Sequence, residues 1–419
     1  VALADGQRIA EFQYDPEFAG QSRIQLSPIV MPTRHEPYRF PDLPLEAFRG
    51  LPGLLADSLP DRFGNALIDA WLARSGRSPD SFNAVERLSY TGERGMGALE
   101  YRPAVGPRAT TDHVLDVAKL VELASAVLTE REQLVASLRE GSREEAMRDI
   151  LRVGTSAGGA RAKAVIAWNP ATGEVRSGQV TAGIGFEPWI IKFDGVASNR
   201  DKELADPQGY GSIEYAYSLM ARAAGIDMME TRILEENGRR HFMTRRFDRL
   251  PDGSKLHMLT LGGLCHYDLN LAGGYSYEQA IAAIKRLGLE LDVVEEQYRR
   301  MVFNILARNQ DDHVKNIAFI MNRDGEWSLA PAYDLAYSYN PSGDWTARHQ
   351  MTVNGKQDGF TVADLRAFAR TAGIKRGRDR TILDDVRTAV SAWQDFADEA
   401  RVDADRAGLI ARQHRLSMR

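Results

Sequence analysis

The sequence predicts an α+β chain of two lobes, a β-rich one followed by a mainly helical one, with an extra N-terminal α+β subdomain ahead of them. Residues 150–250 carry short apolar runs of strand length set between Gly-rich turns. Beyond residue 276 apolar residues recur at helical spacing, and Val294, Tyr298, Met301, Val302, Ile305 and Leu306 share one face of a long helix. At 419 residues the chain exceeds what one hydrophobic core serves, so two or three packed units are expected. The expected divisions are 1–108 for the N-terminal subdomain, 109–149 for a helical connector, 150–250 for the β-rich lobe and 251–419 for the helical lobe.

Each element has its own signal. Runs 8–14 and 23–26 read as strands ahead of a Pro-punctuated stretch from Pro28 to Pro52. Phe63, Ala66, Leu67, Ala70 and Trp71 recur as one helix face over 61–73. Gly95-Met-Gly-Ala-Leu99 reads as a tight turn into a strand, where glycine permits close backbone packing. Pro103, Pro107 and the helix-start signal Thr110-Thr111-Asp112 mark the entry to a helical stretch over 112–150. Strands are expected at 162–168, 189–193 and 240–247, with a helix at 212–224 between them. Runs 316–321 and 326–330 form a hairpin about Asn322-Arg-Asp-Gly325, whose Asp-Gly supplies the turn chemistry.

Composition narrows the function. Apolar residues make up 43% and charged residues 26%, enough apolar surface to offset chain entropy, so general disorder is excluded. No window approaches the roughly 18 uninterrupted apolar residues of a membrane helix. No basic segment followed by an apolar core marks a secretion signal, and no membrane partner is expected. The single cysteine, Cys265, excludes an intrachain disulfide and a Cys-rich zinc cluster and fits a cytoplasmic location. A net charge of −5 argues against binding nucleic acid over a wide surface.

The densest chemistry lies in Asn309-Gln-Asp-Asp-His-Val-Lys-Asn316, a loop between an apolar helix and the hairpin. Asp311 and Asn316 stand five apart, the spacing of the protein-kinase catalytic loop, where the Asp takes the acceptor's proton and the Asn holds a metal ion. Asp312 is four from Asn316, so spacing favours Asp311 as the base. The same run also suits a polar loop whose side chains cap backbone groups. One hairpin downstream, Ala330-Pro-Ala-Tyr-Asp334 places a carboxylate that can face the Asn316 loop. Mg²⁺ takes oxygen ligands and bridges ATP phosphates, which makes Asp334 the candidate principal ligand; a turn-capping Asp is the plain alternative.

Lys192, in Trp189-Ile-Ile-Lys-Phe193, is a lysine in the middle of an apolar strand, and a buried ammonium needs a partner. Glu214 in the next helix can supply it, as in kinases where a helix Glu holds the phosphate-binding Lys. A solvent-facing strand position would equally accommodate Lys192. In Gly154-Thr-Ser-Ala-Gly-Gly-Ala-Arg161, Gly158 and Gly159 let backbone amides approach phosphate, although an ordinary turn reads as well. Ser156 in that loop is a candidate acceptor of phosphate. Thr244-Arg-Arg-Phe-Asp-Arg249 ends a strand where a kinase seats adenine, with backbone around Arg245 reading its edge and Phe247 against it. A charged strand end with a core Phe would look the same. The order of the motifs, from Gly-rich loop through strand Lys, helix Glu and hinge to Asp-x₄-Asn and metal Asp, is the order a kinase fold needs.

On Ser156-Ala-Gly-Gly-Ala-Arg-Ala-Lys163, Ile190-Ile-Lys192, Arg246-Phe-Asp-Arg249, Asn309–Asn316 and Pro331-Ala-Tyr-Asp334, the chain resembles the HipA family of toxin kinases from bacterial type II toxin–antitoxin systems. The likeness runs over about 150–340 and reaches the N-terminal subdomain through 54–64 and 95–99. It implies a bilobal, phosphatidylinositol-kinase-like serine/threonine kinase using ATP and Mg²⁺. It also implies Asp311 as catalytic base, Asn316 and Asp334 as metal ligands, Lys192 on the ATP phosphates, and Ser156 as the serine whose autophosphorylation ejects the Gly-rich loop and silences the enzyme. Aminoacyl-tRNA synthetases are the implied substrates. A HipB-type helix-turn-helix antitoxin is the implied partner, and DNA is reached through it. Arg161-Ala162 and Arg245 depart from the best-known member, which has Gln-Glu and Glu there. Two other readings stand beside this one. A small-molecule or lipid kinase would share Asp-x-His-x-x-Asn. A non-catalytic corepressor could set Lys375-Arg376-Gly-Arg378-Asp-Arg380 on DNA phosphates, although such runs are usually solvated faces.

Overall fold

Five antiparallel strands form the largest sheet, in the order Val175–Ser177, Lys163–Trp168, Glu187–Lys192, Arg239–Arg245, Thr231–Glu236. The computed structural model describes residues 1–4, 6–21, 23–74, 76–106, 114–129, 150–151, 161–178, 183–196, 200–201, 204–205 and 208–418. The chain divides into two compact units, one of Val1–Gln7, Ser58–Gly211 and Glu230–His257, the other of Arg8–Asp57, Ser212–Met229 and Met258–Arg419.

The sheet belongs to the first unit, and alternation along its strands decides what each face does. Trp189 and Ile191 point into the core with Ala164, Ile166 and Met243. Phe63 and Leu67, from helix Arg62–Arg74, and Leu120, Val121 and Ala124, from helix Val117–Thr129, complete that core. The amphipathic pattern of 61–73 is therefore the face that packs. The second helix starts later than its sequence signal. Val114 forms a bridge to Arg176 and the Leu115 N–H donates to the Val175 carbonyl at 2.8 Å, which keeps this stretch extended. Asp116 then supplies the cap, accepting the Lys119 N–H at 3.3 Å. Gly211 sits where a Cβ would lie 2.1 Å from the Arg240 carbonyl oxygen, so only glycine lets the start of helix Tyr210–Ala223 approach that strand.

The second unit is mainly helical. Helix Leu291–Leu306 is its spine, and the six apolar residues expected on one face are all buried. Capping boxes start two of its neighbours: Ser276 with Gln279 for Tyr277–Arg286, and Thr361 with Asp364 for Val362–Ala372. The hairpin pairs Ala318–Met321 with Trp327–Leu329, and Asn322 Oδ1 accepts the Asp324 and Glu326 N–H groups across its turn. Strand Glu11–Phe12 pairs with Tyr38–Arg39, inside the expected 8–14 run. The expected strand at 23–26 is absent. There the Thr33 N–H and hydroxyl bond to the Gln25 side chain and the Ile24 carbonyl, and the Gln25 carbonyl accepts from the Trp327 indole. Those polar groups are spent without a ladder. Likewise 95–98 is a bend with no strand after it. Among the described residues no helix is long and apolar enough to cross a membrane.

Two half-buried histidines should make the second unit's stability depend on pH. His266 Nε2 accepts the Gly53 N–H at 3.0 Å, a bond that requires neutral imidazole. Burial pushes its pKa down to about 4, against a smaller opposing pull from Asp57. Burial, with help from Arg308, likewise lowers His414 to about 4. Both folded values lie below the ordinary histidine value, so this stability is complete above about pH 6.5 and is lost as pH falls towards 4. Thermal melts across that window should show the midpoint falling with acidity. His266→Gln, which keeps an acceptor for Gly53, should flatten part of the slope; a slope unchanged by the substitution would count against this account.

Candidate active site

The 309–316 loop begins where helix Leu291–Leu306 stops, with Arg308 turning the chain at φ 59°. Within it the Asp311 carbonyl accepts the His313 N–H at 2.9 Å and the Asn316 Nδ2–H at 2.7 Å. With Nδ2 committed, Oδ1 is the end of the Asn316 amide available to a cation. The two adjacent aspartates differ sharply. The Asp311 side chain is 20% exposed, whereas that of Asp312 is 1% exposed. Asp312 accepts from the Tyr277 hydroxyl, His349 Nδ1 and the Gln350 N–H, each at 2.8 Å. Burial and the Asp312 carboxylate raise the Tyr277 pKa well above its ordinary value. Of the two, Asp311 is thus the carboxylate with access to solvent.

Asp334 is brought to the same region through its neighbours. The Tyr333 hydroxyl donates to the Lys315 carbonyl at 2.6 Å, one residue before Asn316. The Ala332 N–H donates to the Asp227 carbonyl at 2.8 Å, and Arg300 Nη1 to the Ala330 carbonyl at 2.9 Å. Held this way, Asp334 adopts φ 54°, a left-handed conformation uncommon outside glycine. His313, Asn316, Tyr333 and Leu335 line one small cavity. Among the described residues no three His, Cys, Asp or Glu converge as a metal cluster. An amide oxygen and a carboxylate are nonetheless hard donors of the kind Mg²⁺ uses when phosphates and water complete its shell.

In the first unit, Lys192 is the last residue of strand Glu187–Lys192 rather than its middle, and it is half-buried. Its register partner is Lys163, which is buried, so both lysines project from one face. Like charges directly opposite repel, and an anion such as phosphate suits such a pair. The sequence singled out Lys192 and not Lys163, because the register that pairs them is not visible from spacing. Arg245 lies within 3.8 Å of Glu187 and 3.9 Å of Glu230 at the strand's end, and Phe247 follows, half-buried. Glu214 is buried on helix Tyr210–Ala223. Ser156, Gly158 and Gly159 lie outside the described residues.

The Arg246-Phe-Asp-Arg249 motif also builds a clasp that spacing did not reveal. Arg246 grips the buried Asp248 with Nε at 2.9 Å and Nη2 at 2.7 Å, and Arg249 Nη1 adds 2.9 Å. Asp248 Oδ2 also accepts the Gly97 N–H at 2.7 Å, and Arg249 reaches the Gly95 and Gly97 carbonyls. Gly97 takes φ 74°, which explains a glycine in this bend.

Comparison with known proteins bears on this arrangement. Residues 155–393 match the family model described as the HipA-like C-terminal domain, and 2–102 match the HipA N-terminal domain. A candidate kinase of Sinorhizobium fredii, Y4dM, is 24% identical over 228 residues, covering 49% of this chain and 50% of that protein. A candidate kinase of Haemophilus influenzae is 28% identical over 178 residues, 36% of this chain and 51% of that one. The chain thus spans about half the length of the curated relatives it matches. The Shewanella oneidensis HipA structure, solved with HipB and operator DNA, aligns with a TM-score of 0.66 at 16% identity, over 96% of this chain and 88% of that one. At that identity the likeness speaks for the fold, and the α+β, kinase-like fold expected from the sequence is the fold the chain has.

The clasp can be tested by stability. Burial raises the Asp248 pKa, but Arg246, Arg249 and the Gly97 amide outweigh it and hold the carboxyl below its ordinary value. Its contribution is therefore present above the ordinary carboxylate range and lost as pH falls through the lower folded value. Asp248→Asn leaves two guanidinium groups without their counter-charge and should cost about 3–5 kcal/mol in urea unfolding near neutral pH. A cost below about 1 kcal/mol would mean an ordinary surface-type ion pair instead.

Proposed function

The chain belongs to the HipA family, and on that footing we propose that it is an ATP- and Mg²⁺-dependent protein serine/threonine kinase that acts as a growth-inhibiting toxin. The observation that carries this reading is the joining of Asp311 to Asn316, with Tyr333 tying the Asp334 segment to the same loop. Asp311 accepts the proton of a seryl or threonyl hydroxyl as that oxygen bonds to the γ-phosphorus and the bond to the ADP leaving oxygen breaks. Lys192, with Lys163 opposite, supplies positive charge for the phosphates, and Glu214 is assigned to binding the same nucleotide. Arg245 and Phe247 border the adenine, while Gly158 and Gly159 lay backbone amides along the phosphates. Asn316 and Asp334 would hold Mg²⁺, which neutralises phosphate charge when bound with the nucleotide.

The substrate class proposed is a translation protein such as an aminoacyl-tRNA synthetase, with Ser156 as the site of silencing autophosphorylation. The proposed partner is a HipB-type helix-turn-helix antitoxin through which the chain meets DNA. The Shewanella protein's assembly with HipB and operator DNA supports this.

Radiolabelled ATP tests the activity. Wild type incubated with Mg²⁺ should label itself or a synthetase, and Ser156→Ala should remove the self-label. Asp311→Asn should slow transfer by about 10²–10⁴-fold, and Asp334→Asn should abolish turnover and weaken Mg²⁺-ATP binding. Equal labelling by wild type and Asp311→Asn would remove the base from its role. Label found on a metabolite and never on protein would favour a small-molecule kinase.

A further inference from the structure

The segment that follows Asp334 returns to the loop and takes hold of it at three points. Ser338 Oγ accepts the Gln310 N–H at 2.7 Å and the Asp311 N–H at 3.0 Å. It also donates to Asn309 Oδ1 at 3.2 Å. At the far end His349 and the Gln350 N–H hold Asp312. Between these anchors, Trp345 directs its indole N–H at Asp311 Oδ1, at 2.6 Å. Trp345 is itself fixed, because the buried Gln350 side chain donates to its carbonyl and, at 3.2 Å, to that of Arg348.

We propose that Trp345 is a positioning residue for the Asp311 carboxylate, its indole N–H fixing the rotation of that side chain while Ser338 fixes the backbone beneath it. This deepens the kinase reading and rests on it. A carboxylate on a loop can rotate about its side-chain bonds, and general-base transfer needs the accepting oxygen within hydrogen-bond reach of the hydroxyl. Indole is a donor only, with one N–H and no acceptor to compete for the acceptor's proton. A hydrogen bond to an ionised oxygen is among the stronger ones, so one such bond can set the rotamer. Because the bond is made to the base and not to the nucleotide, its loss should act on turnover and spare ATP binding.

The experiment uses the full chain with ¹⁵N-labelled tryptophan. The Trp345 indole resonance is identified as the one missing from Trp345→Phe, and it should move in Asp311→Asn. A resonance that stays in place in Asp311→Asn overturns the contact, and Trp345→Tyr supplies the assignment where Trp345→Phe folds poorly. In the transfer assay, Trp345→Phe should lower kcat by roughly tenfold to a hundredfold with KM for ATP unchanged. Wild-type kcat in Trp345→Phe, or a change confined to KM, overturns the positioning role while a dead Asp311→Asn leaves the kinase reading intact. Full activity in Asp311→Asn removes Asp311 from the base role on which this proposal rests, and no transfer by the wild type removes the kinase reading itself, with the indole resonance still reporting whether the bond exists.

Discussion

The Asp311 carbonyl, receiving the His313 N–H and the Asn316 side-chain N–H, is the joint on which the candidate site depends. A loop of this length has no ladder of its own, so its conformation comes from such closures. The bond also sets the polarity of the Asn316 amide. A carboxylate at 316 would turn an oxygen towards the carbonyl and repel it, whereas an amide can donate at one end and accept at the other. Residue type and spacing therefore follow from one requirement: the side chain must reach back five positions, spend its N–H, and keep an oxygen.

Around that joint the chain spends buried polar groups freely. Asp312 with Tyr277 and His349, and Asp248 with Arg246 and Arg249, each take charge or polarity out of water, which is costly unless every lone pair is met. In both clusters at least one partner comes from a segment distant in sequence, and in both the thing held is irregular chain: the 309–316 loop in one, the 95–98 bend in the other. Apolar packing would bury such segments without fixing their rotation. Directional bonds to a shared carboxylate do fix it, which is what the proposed phosphoryl transfer would require of the 309–316 loop, since such catalysis is positioning and electrostatics.

What the sequence could reveal follows the range of each interaction. Asp311 and Asn316 are legible because their bond closes within one loop, and the long helix is legible because its burial is periodic. The run at 23–26 misled because apolar alternation predicts a strand only when a partner strand exists, and here side chains and the Trp327 indole take the backbone groups. The helix-start signal ahead of 114 misled because a bridge at Val114 postpones the helix to Val117. Lys163, Ser338, Trp345 and the Asp248 clasp leave no local mark: register pairs Lys163 with Lys192, Trp345 meets Asp311 from 34 positions away, and Gly97 meets Asp248 from 151. No spacing rule reaches that far without the fold.

The Asp311-Asp312 pair shows why position, and not residue type, assigns the chemistry. Both are carboxylates on consecutive residues, so helical or strand periodicity cannot rank them. Asp312 takes two donors on Oδ2 and a backbone N–H on Oδ1, inside a site from which water is excluded. Protonating it would turn an acceptor into a donor facing donors, and no substrate hydroxyl could approach without displacing Tyr277 or His349. Asp311 meets an indole and a histidine ring at a partly exposed position, where a hydroxyl can approach. A loop that places one carboxylate to hold the structure and the next to meet solvent needs both, since the rigidity of the first is what gives the second a defined direction.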